Sequence, residues 1–445
     1  MATKLWQKSY STAERVENFT VGDDAKWDIH LAPFDVMGSL AHTRMLESID
    51  LLEKNELAEI QRELKLIYKS IETGEFVIDD GVEDVHSQVE LLLTQRLGDI
   101  GKKIHSGRSR NDQVLVDIKL YMRDQIEQTV NEVNKLFEKL TAYSEKYKDY
   151  LIPGYTHLQI AMPSSLGLWF GAYAESLIDD LNMLLGAYKV VNKNPLGSAA
   201  GYGSSFPINR TMTTELLGFE SLNYNVVYAQ MTRGKAEKLV SMALASIAAT
   251  LSRMAMDTCL YMSQNFGFIS FPKELTTGSS IMPHKKNPDV FEIMRGKCNI
   301  LQALPNEISM MLTNLPSGYH REMQLTKEHF FPAFETLNDC LSMAGFMFDN
   351  IIVKDNIVDD AKYDFLFTVE SVNELVLQGI PFRDAYKQVG ELIESGSYKA
   401  KREVNHSHEG SIGNLCTDNI KNLMNKTIQD FGFDKIHRSI KELVK

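Results

Sequence analysis

The sequence predicts an all-α protein built around long helices, and three observations lead to that reading. Apolar residues recur at three- and four-residue steps through most of the chain. From Arg108 to Ile152 no glycine or proline interrupts that pattern. No alternating strand–helix pattern is present, and strand-like runs are short, Phe76 to Ile78 being one.

Residues 1 to about 25 are polar and weakly patterned, and read as an extended arm. Helical spacing begins near Leu31. Leu40, Met45, Leu46, Ile49, Leu57, Ile60, Leu64 and Ile67 share it, and Thr73-Gly74 breaks it. Asp84 is placed to cap a helix over Val85–Leu97, with Val89, Leu92, Leu93 and Leu97 on one side. A polar loop follows, from Gly98 to Asp112. Val114, Ile118, Tyr121, Ile126, Val130, Val133, Phe137 and Leu140 then mark one long amphipathic helix. A second long helix follows Pro163, and a third runs from about Lys235 to Gln264. In the fourth, Asn287 reads as the N-cap and Pro288 as the first helical residue, and Pro305 is expected to bend it. The fifth covers about Glu328 to Asn350. From Asp360 helices are shorter, with breaks at Gly379-Ile380-Pro381, Gly396, Gly410 and Gly413. Three helical domains are expected: 1–106, a central long-helix bundle over 107–359, and a small C-terminal part over 360–445.

Composition bounds the function classes. The chain has 445 residues, 44% hydrophobic and 24% charged, which suits a globular protein with a large core. A net charge of −12 argues against a general nucleic-acid binder, though a local basic pocket for an acidic ligand remains compatible with it. The four cysteines, Cys259, Cys298, Cys340 and Cys416, are widely spaced and read as reduced thiols of a cytoplasmic protein. No uninterrupted apolar run reaches the ~18 residues of a membrane span, and Met1 to Trp6 has no secretory h-region, so no membrane partner is expected.

Chemistry concentrates in three polar loops at helix ends. Ser106 to Gln113 offers Arg108, Ser109, Arg110 and Asn111, donors suited to a carboxylate. Gly154 to Pro163 holds His157 between Thr156 and Leu158-Gln159, a position open to a general acid or base. Thr277 to Asp289 combines Gly278-Ser279-Ser280 with Lys285, Lys286 and Asn287 at a helix start, where free N–H groups and the helix dipole attract an anion. Capped helices with solvated side chains describe each loop equally well on residue type alone. None of the eleven histidines forms HExxH, no Cys/His cluster has metal spacing, and neither a phosphate-cradling GxxxxGK[ST] nor a GxSxG elbow is present.

Taken together, the loops resemble the three signature regions of the fumarase/aspartase superfamily. Gly278-Ser279-Ser280-Ile281-Met282-Pro283-His284-Lys285-Lys286-Asn287-Pro288 matches its GSSxMPxKxNP hallmark at every fixed position. His105-Ser106-Gly107-Arg108-Ser109-Arg110-Asn111-Asp112-Gln113 and Glu83-Asp84-Val85-His86-Ser87 are similar to the forms in its argininosuccinate lyase family. Pro381-Phe382-Arg383-Asp384-Ala385 resembles that family's PFRxAH, with Tyr386 in place of histidine.

The resemblance runs from about Asp28 to about Gly390 and carries several implications. The fold is expected to be of the fumarase/aspartase type, a homotetramer with about twenty central helices packed together, each active site shared by three subunits. The reaction is expected to be a β-elimination that splits argininosuccinate into L-arginine and fumarate, in arginine biosynthesis, with no cofactor and no metal. Ser279 matches the proposed base. Lys285 and Asn287 match positions that stabilise the dianionic intermediate, and His157 the acid or holder of a water relay, with Glu292 as its carboxylate partner. Thr156, Ser109, Arg110 and Asn111 match binding positions, Asp84 and His86 residues near the arginine end, and Tyr319, Gln324 and Lys327 contacts to the rest of the substrate.

Three departures mark a divergent branch. The family's opening LWGGRF is Leu5-Trp6-Gln7-Lys8-Ser9-Tyr10 here. Its YNRDxQEDKE becomes Tyr319-His320-Arg321-Glu322-Met323-Gln324-Leu325-Thr326-Lys327-Glu328. Of its Ser-x-Arg-Asp element only Arg233 has a counterpart, shifted by one. They leave open another succinyl-amine lyase, such as an adenylosuccinate lyase, though no phosphate-binding set is visible. A non-catalytic relative is the remaining alternative, and the intact Ser279, Lys285, His157 and Glu292 speak against it.

Overall fold

The computed structural model describes residues 14–445, and the Leu5-Trp6 run lies outside them. The chain is all-α, as the periodicity predicts. Its longest helix, Arg110–Lys146, has 37 residues and starts with a full capping box. The Ser109 N–H donates to Asp112 Oδ1 (2.8 Å), and the Ser109 side chain in turn receives backbone N–H groups of the first turn. This helix packs lengthwise against Leu166–Val191 and Thr326–Asp349. Lys235–Met262 packs against those two neighbours and against Asp289–Leu301, which closes the bundle. One close approach depends on Gly167, where a Cβ would lie 2.6 Å from the Ser144 carbonyl oxygen and from Lys148 Cα.

By length and composition Lys235–Met262 passes as a membrane span, but half of its most apolar window is buried in the bundle, so it is a core helix of this fold.

Several sequence expectations are corrected. The extended arm is helical where described, over Glu14–Val21 and Asp24–Asp28. Its second helix is held by a tertiary contact, since Lys327 ion-pairs with both Asp24 and Asp28. The stretch after Gly98 is a short helix, Asp99–Lys102, and not open loop. Phe76 to Ile78 is irregular, with the Phe76 N–H donating to Ser70 O (3.1 Å) behind the preceding helix. The largest strand pair lies in a stretch read as loop: Leu151–Thr156 and Gln159–Ser165 form an antiparallel hairpin in which Pro153 faces Pro163. Asn287 does not cap its helix. Pro288 occupies the cap and the helix runs Asp289–Leu301. Pro305 does not bend that helix. It lies in the first turn of a separate one, Leu304–Met311, where its missing N–H costs nothing.

After residue 360, Val372, Ala385 and Val389 form a small core of their own. Met424, Phe431, Ile436 and Leu443, from the last two helices and the turn between them, join the main core instead.

Lys119 is fully buried near the start of the longest helix, in its third turn. Its Nζ donates to Lys193 O (2.9 Å) and Asn223 Oδ1 (2.6 Å), stapling the helix to the small parallel pair Lys193–Asn194/Ser221–Leu222. Burial lowers the ammonium to about 7 from the ordinary 10.5. A lysine proton held more weakly in the folded state is a penalty that is fully present below pH 7 and is relieved as pH rises towards 10.5. The stability of the wild type relative to Lys119→Met is therefore expected to rise across that window, by up to about 1.4 kcal/mol per pH unit. Urea midpoints of the two proteins measured at several pH values test this, and a pH-independent difference rejects it.

Candidate active site

The first polar loop and the helix ends around it enclose a cavity of about 580 Å³. Asp84, His86, Ser109, Arg110, Asn111, Tyr319, Gln324 and Lys327 all line it. Asp84 caps its helix through the Ser87 N–H (2.8 Å), as its position predicts. Arg110 crosses from the longest helix to bond Asp84 Oδ2 (3.1 Å) and Ser87 Oγ (2.8 Å). Burial alone would raise Asp84, but the charges of His86 and Arg110 and the Ser87 bonds outweigh it and hold the carboxyl below its usual range.

The far wall comes from the segment before the last long helix. Gln324 Nε2 donates to Thr20 O (2.8 Å), and the buried Lys327 ammonium sits between Asp24 (2.6 Å) and Asp28. Arg233, whose register was uncertain in the sequence, is buried at the same cavity. It pairs with Glu237 (2.9 Å) and donates to Met323 O (2.8 Å).

Other lining residues escaped the sequence reading. Asp24 lay in the stretch taken as an extended arm, and Asp28 between that arm and the first helical spacing. Their four-residue spacing, one face of a helix, was the available signal. Glu83 and Arg321, paired at 3.0 Å, had no signal beyond their neighbours.

Beneath the cavity His86 Nδ1 lies 2.8 Å from Asp35 Oδ1 and 3.3 Å from Asp117 Oδ2, with both carboxylates fully buried. Burial pulls the imidazole down, but the bond to Asp35 and the charges of Asp35, Asp117 and Asp84 together push it up to about 9. Asp117 is raised well above the carboxylate range, first by burial and then by the charge of Asp35. The ligand atoms of these three residues lie within 4.8 Å of one another, a grouping compatible with a metal ion that no sequence spacing signalled.

The second and third loops stand apart from this cavity. His157 and Leu158 form the hairpin tip, both in the left-handed region (φ +53° and +58°). Such two-residue turns favour Asn-Gly, so a His-Leu tip is held at a conformational cost. Thr156 and His157 are exposed there. In the third loop Asn287 holds the base together. Its N–H donates to Thr277 O (2.8 Å), and its side-chain amide reaches Thr277 Oγ1 and Gly278 O (both 3.3 Å). Ser279 Oγ accepts the N–H groups of Ile281 (3.3 Å) and Met282 (3.1 Å). Lys285 is exposed and its ammonium has no partner among the described residues. Glu292 is exposed on the helix that follows, and no hydrogen bond or ion pair joins it to His157.

Within one chain, then, the carboxylate-binding candidates are gathered and Ser279, Lys285, Asn287, His157, Thr156 and Glu292 are held outside the cavity. The long-helix bundle with polar loops at its helix ends is the architecture that the fumarase/aspartase resemblance predicts. A family model described as lyase matches residues 6–302. An argininosuccinate lyase of Bacteroides fragilis is 62% identical over 444 residues, covering 100% of this chain and 99% of the relative. One of Thermotoga neapolitana is 37% identical over 391 residues, 88% of this chain and 98% of the relative. Among solved structures, an EDDS lyase variant with bound fumarate superposes with a TM-score of 0.77 at 21% identity, over 98% of this chain and 95% of the other. A class II fumarase from Schistosoma mansoni reaches 0.69 at 15% identity, over 95% and 96%. The chain belongs to the argininosuccinate lyase family.

Proposed function

We propose that this protein catalyses the cofactor-independent β-elimination of argininosuccinate to L-arginine and fumarate in the cytoplasm. The observation that carries the reading is the third loop, where Ser279 Oγ receives two backbone N–H groups in a segment that also carries Lys285, without a partner among the described residues, and leads into a helix start. The carbon to be deprotonated lies next to a carboxylate and is a very weak acid. A serine alkoxide is basic enough but costly to form, and two N–H donors with a nearby cation lower that cost.

In the proposed reaction Ser279 removes the proton from the carbon β to the leaving nitrogen. The dianionic carboxylate that forms is stabilised by Lys285 and Asn287. The C–N bond then breaks, the electron pair leaves with the guanidino nitrogen, and that nitrogen takes a proton from His157 or a water it holds, with Glu292 as partner. Asp84, His86, Ser109, Arg110, Asn111, Thr156, Tyr319, Gln324 and Lys327 bind the remainder of the substrate.

Completion of such a site requires other subunits, and we propose a homotetramer in which three subunits supply one loop each. Ile293, Ile300, Met310 and Phe346, on the outer faces of the bundle helices, are 63%, 75%, 66% and 49% exposed in the single chain, an apolar surface of the kind that self-association buries.

Purified protein given argininosuccinate is expected to generate the ultraviolet absorbance of fumarate. Turnover of adenylosuccinate in place of argininosuccinate would reverse the substrate assignment while leaving the elimination chemistry standing.

A further inference from the structure

We propose that Asp35 and Asp117 are positioning residues that hold His86 as an imidazolium, with its Nε2–H turned into the cavity to receive a carboxylate of the substrate. The proposal deepens the reading of that cavity as the substrate site, and rests on it.

The geometry is the first support. His86 stands in the first turn of Val85–Leu97 and lines the cavity. Its Nδ1 is engaged by Asp35 at 2.8 Å and faces Asp117 at 3.3 Å. Nε2 is the remaining polar atom of the ring, and no described protein group accepts from it. Asp35 is itself oriented by Gln113 Nε2 (2.8 Å), so three helices converge on the imidazole.

The second support is charge. Around the ring stand Asp35 from one helix, Asp84 from its own helix cap and Asp117 from the longest helix, with Arg108 and Asp28 close enough to act on the carboxylates. Asp117 has no hydrogen-bond donor on either oxygen; burial and the charge of Asp35 push its carboxyl up, and the charge of His86 pulls it back. Beside two buried carboxyl groups, a neutral His86 would leave negative charge poorly compensated in a dry interior. A protonated His86 cancels it, and the bond to Asp35 leaves the other N–H free for the cavity. The two aspartates thus do different jobs. Asp35 anchors the ring, and Asp117 helps keep the proton on it.

The metal-like grouping of the three side chains offers a rival use of the same atoms. A divalent cation would need Nδ1 deprotonated, whereas the 2.8 Å contact to Asp35 places a proton between them.

The test uses the full-length protein with ring-labelled histidine, the His86 signal being assigned by its loss in His86→Gln. In the wild type this ring is expected to titrate near 9. In Asp117→Asn and Asp35→Asn, both near-isosteric, it is expected to titrate about one unit lower or more. Calorimetric titration with fumarate and with arginine, at a pH between the two titrations, reads the carboxylate directly. One of the two products should bind about tenfold more weakly to His86→Gln and to each aspartate variant. Loss confined to fumarate places the carboxylate at the succinyl end, and loss confined to arginine places it at the amino-acid end. A wild-type ring that titrates near the ordinary 6.5 overturns the proposal, as do unchanged affinities for both products or a stoichiometric divalent cation in the purified protein. Because none of these readings needs turnover, failure of the substrate assignment would show separately, as absent lyase activity with His86 still cationic.

Discussion

Ser279→Ala is expected to lower kcat by roughly a thousandfold, the usual scale for loss of a general base, while KM, helical content and oligomeric size stay close to wild type. The hydroxyl contributes little to the fold. It accepts two N–H groups within its own loop, and those groups lie at the surface, where water replaces the lost acceptor. Stability is therefore expected to change by no more than about 1 kcal/mol. Steady-state kinetics on argininosuccinate beside light scattering and circular dichroism give the comparison. Near-normal turnover in the variant would remove Ser279 from the proton transfer and leave a water or another side chain in its place.

The second large effect concerns assembly. Ser279→Ala and His157→Ala should each be nearly inactive alone. Unfolded together in equal amounts and refolded, they are expected to regain about a quarter of wild-type activity. Each site takes its two loops from different subunits at random, and half of each kind carries the intact residue. The expectation follows from the single-chain geometry, in which the hairpin tip and the serine loop are exposed, share no bond and lie outside the cavity that holds the binding residues. Activity that stays at the level of the separate variants would mean that both loops serve one site from one subunit.

Legibility along the chain tracked how local the cause was. The helix Val85–Leu97 was readable to the residue because Asp84 and Gly98 bound it from either side. The longest helix starts inside the stretch read as loop, at a capping box of Ser109 and Asp112 whose spacing was the available signal. The hairpin at 151–165 was not readable, because Pro153 and Pro163 argue against strands. They are tolerated because they face each other across the pair, so both gaps in the ladder fall at one rung. Asn287 carries the standard chemistry of a cap, yet spends its side chain on Thr277 and Gly278, which shapes the serine loop instead.

The candidate site divides along the same line. Its loops were legible because residues that act together there are neighbours in sequence: Ser279 to Asn287, Thr156 with His157, Ser109 to Asn111. The Asp35–His86–Asp117 cluster was not, since periodicity assigns Asp35 and Asp117 only to helices and says nothing of what faces them.

From the sequence alone came the all-α class, most of the long helices, the three polar loops and the family, because capping, periodicity and motif spacing are written in adjacent residues. Tertiary structure alone decided which distant side chains share the cavity. It ordered Asp24 and Asp28 around Lys327, set the His86 ring against buried Asp35 and Asp117, and held Ser279 and His157 away from the binding residues. The physical reason is that burial and charge pairing depend on how helices pack, and residues remote in sequence acquire their chemistry only from what that packing sets against them.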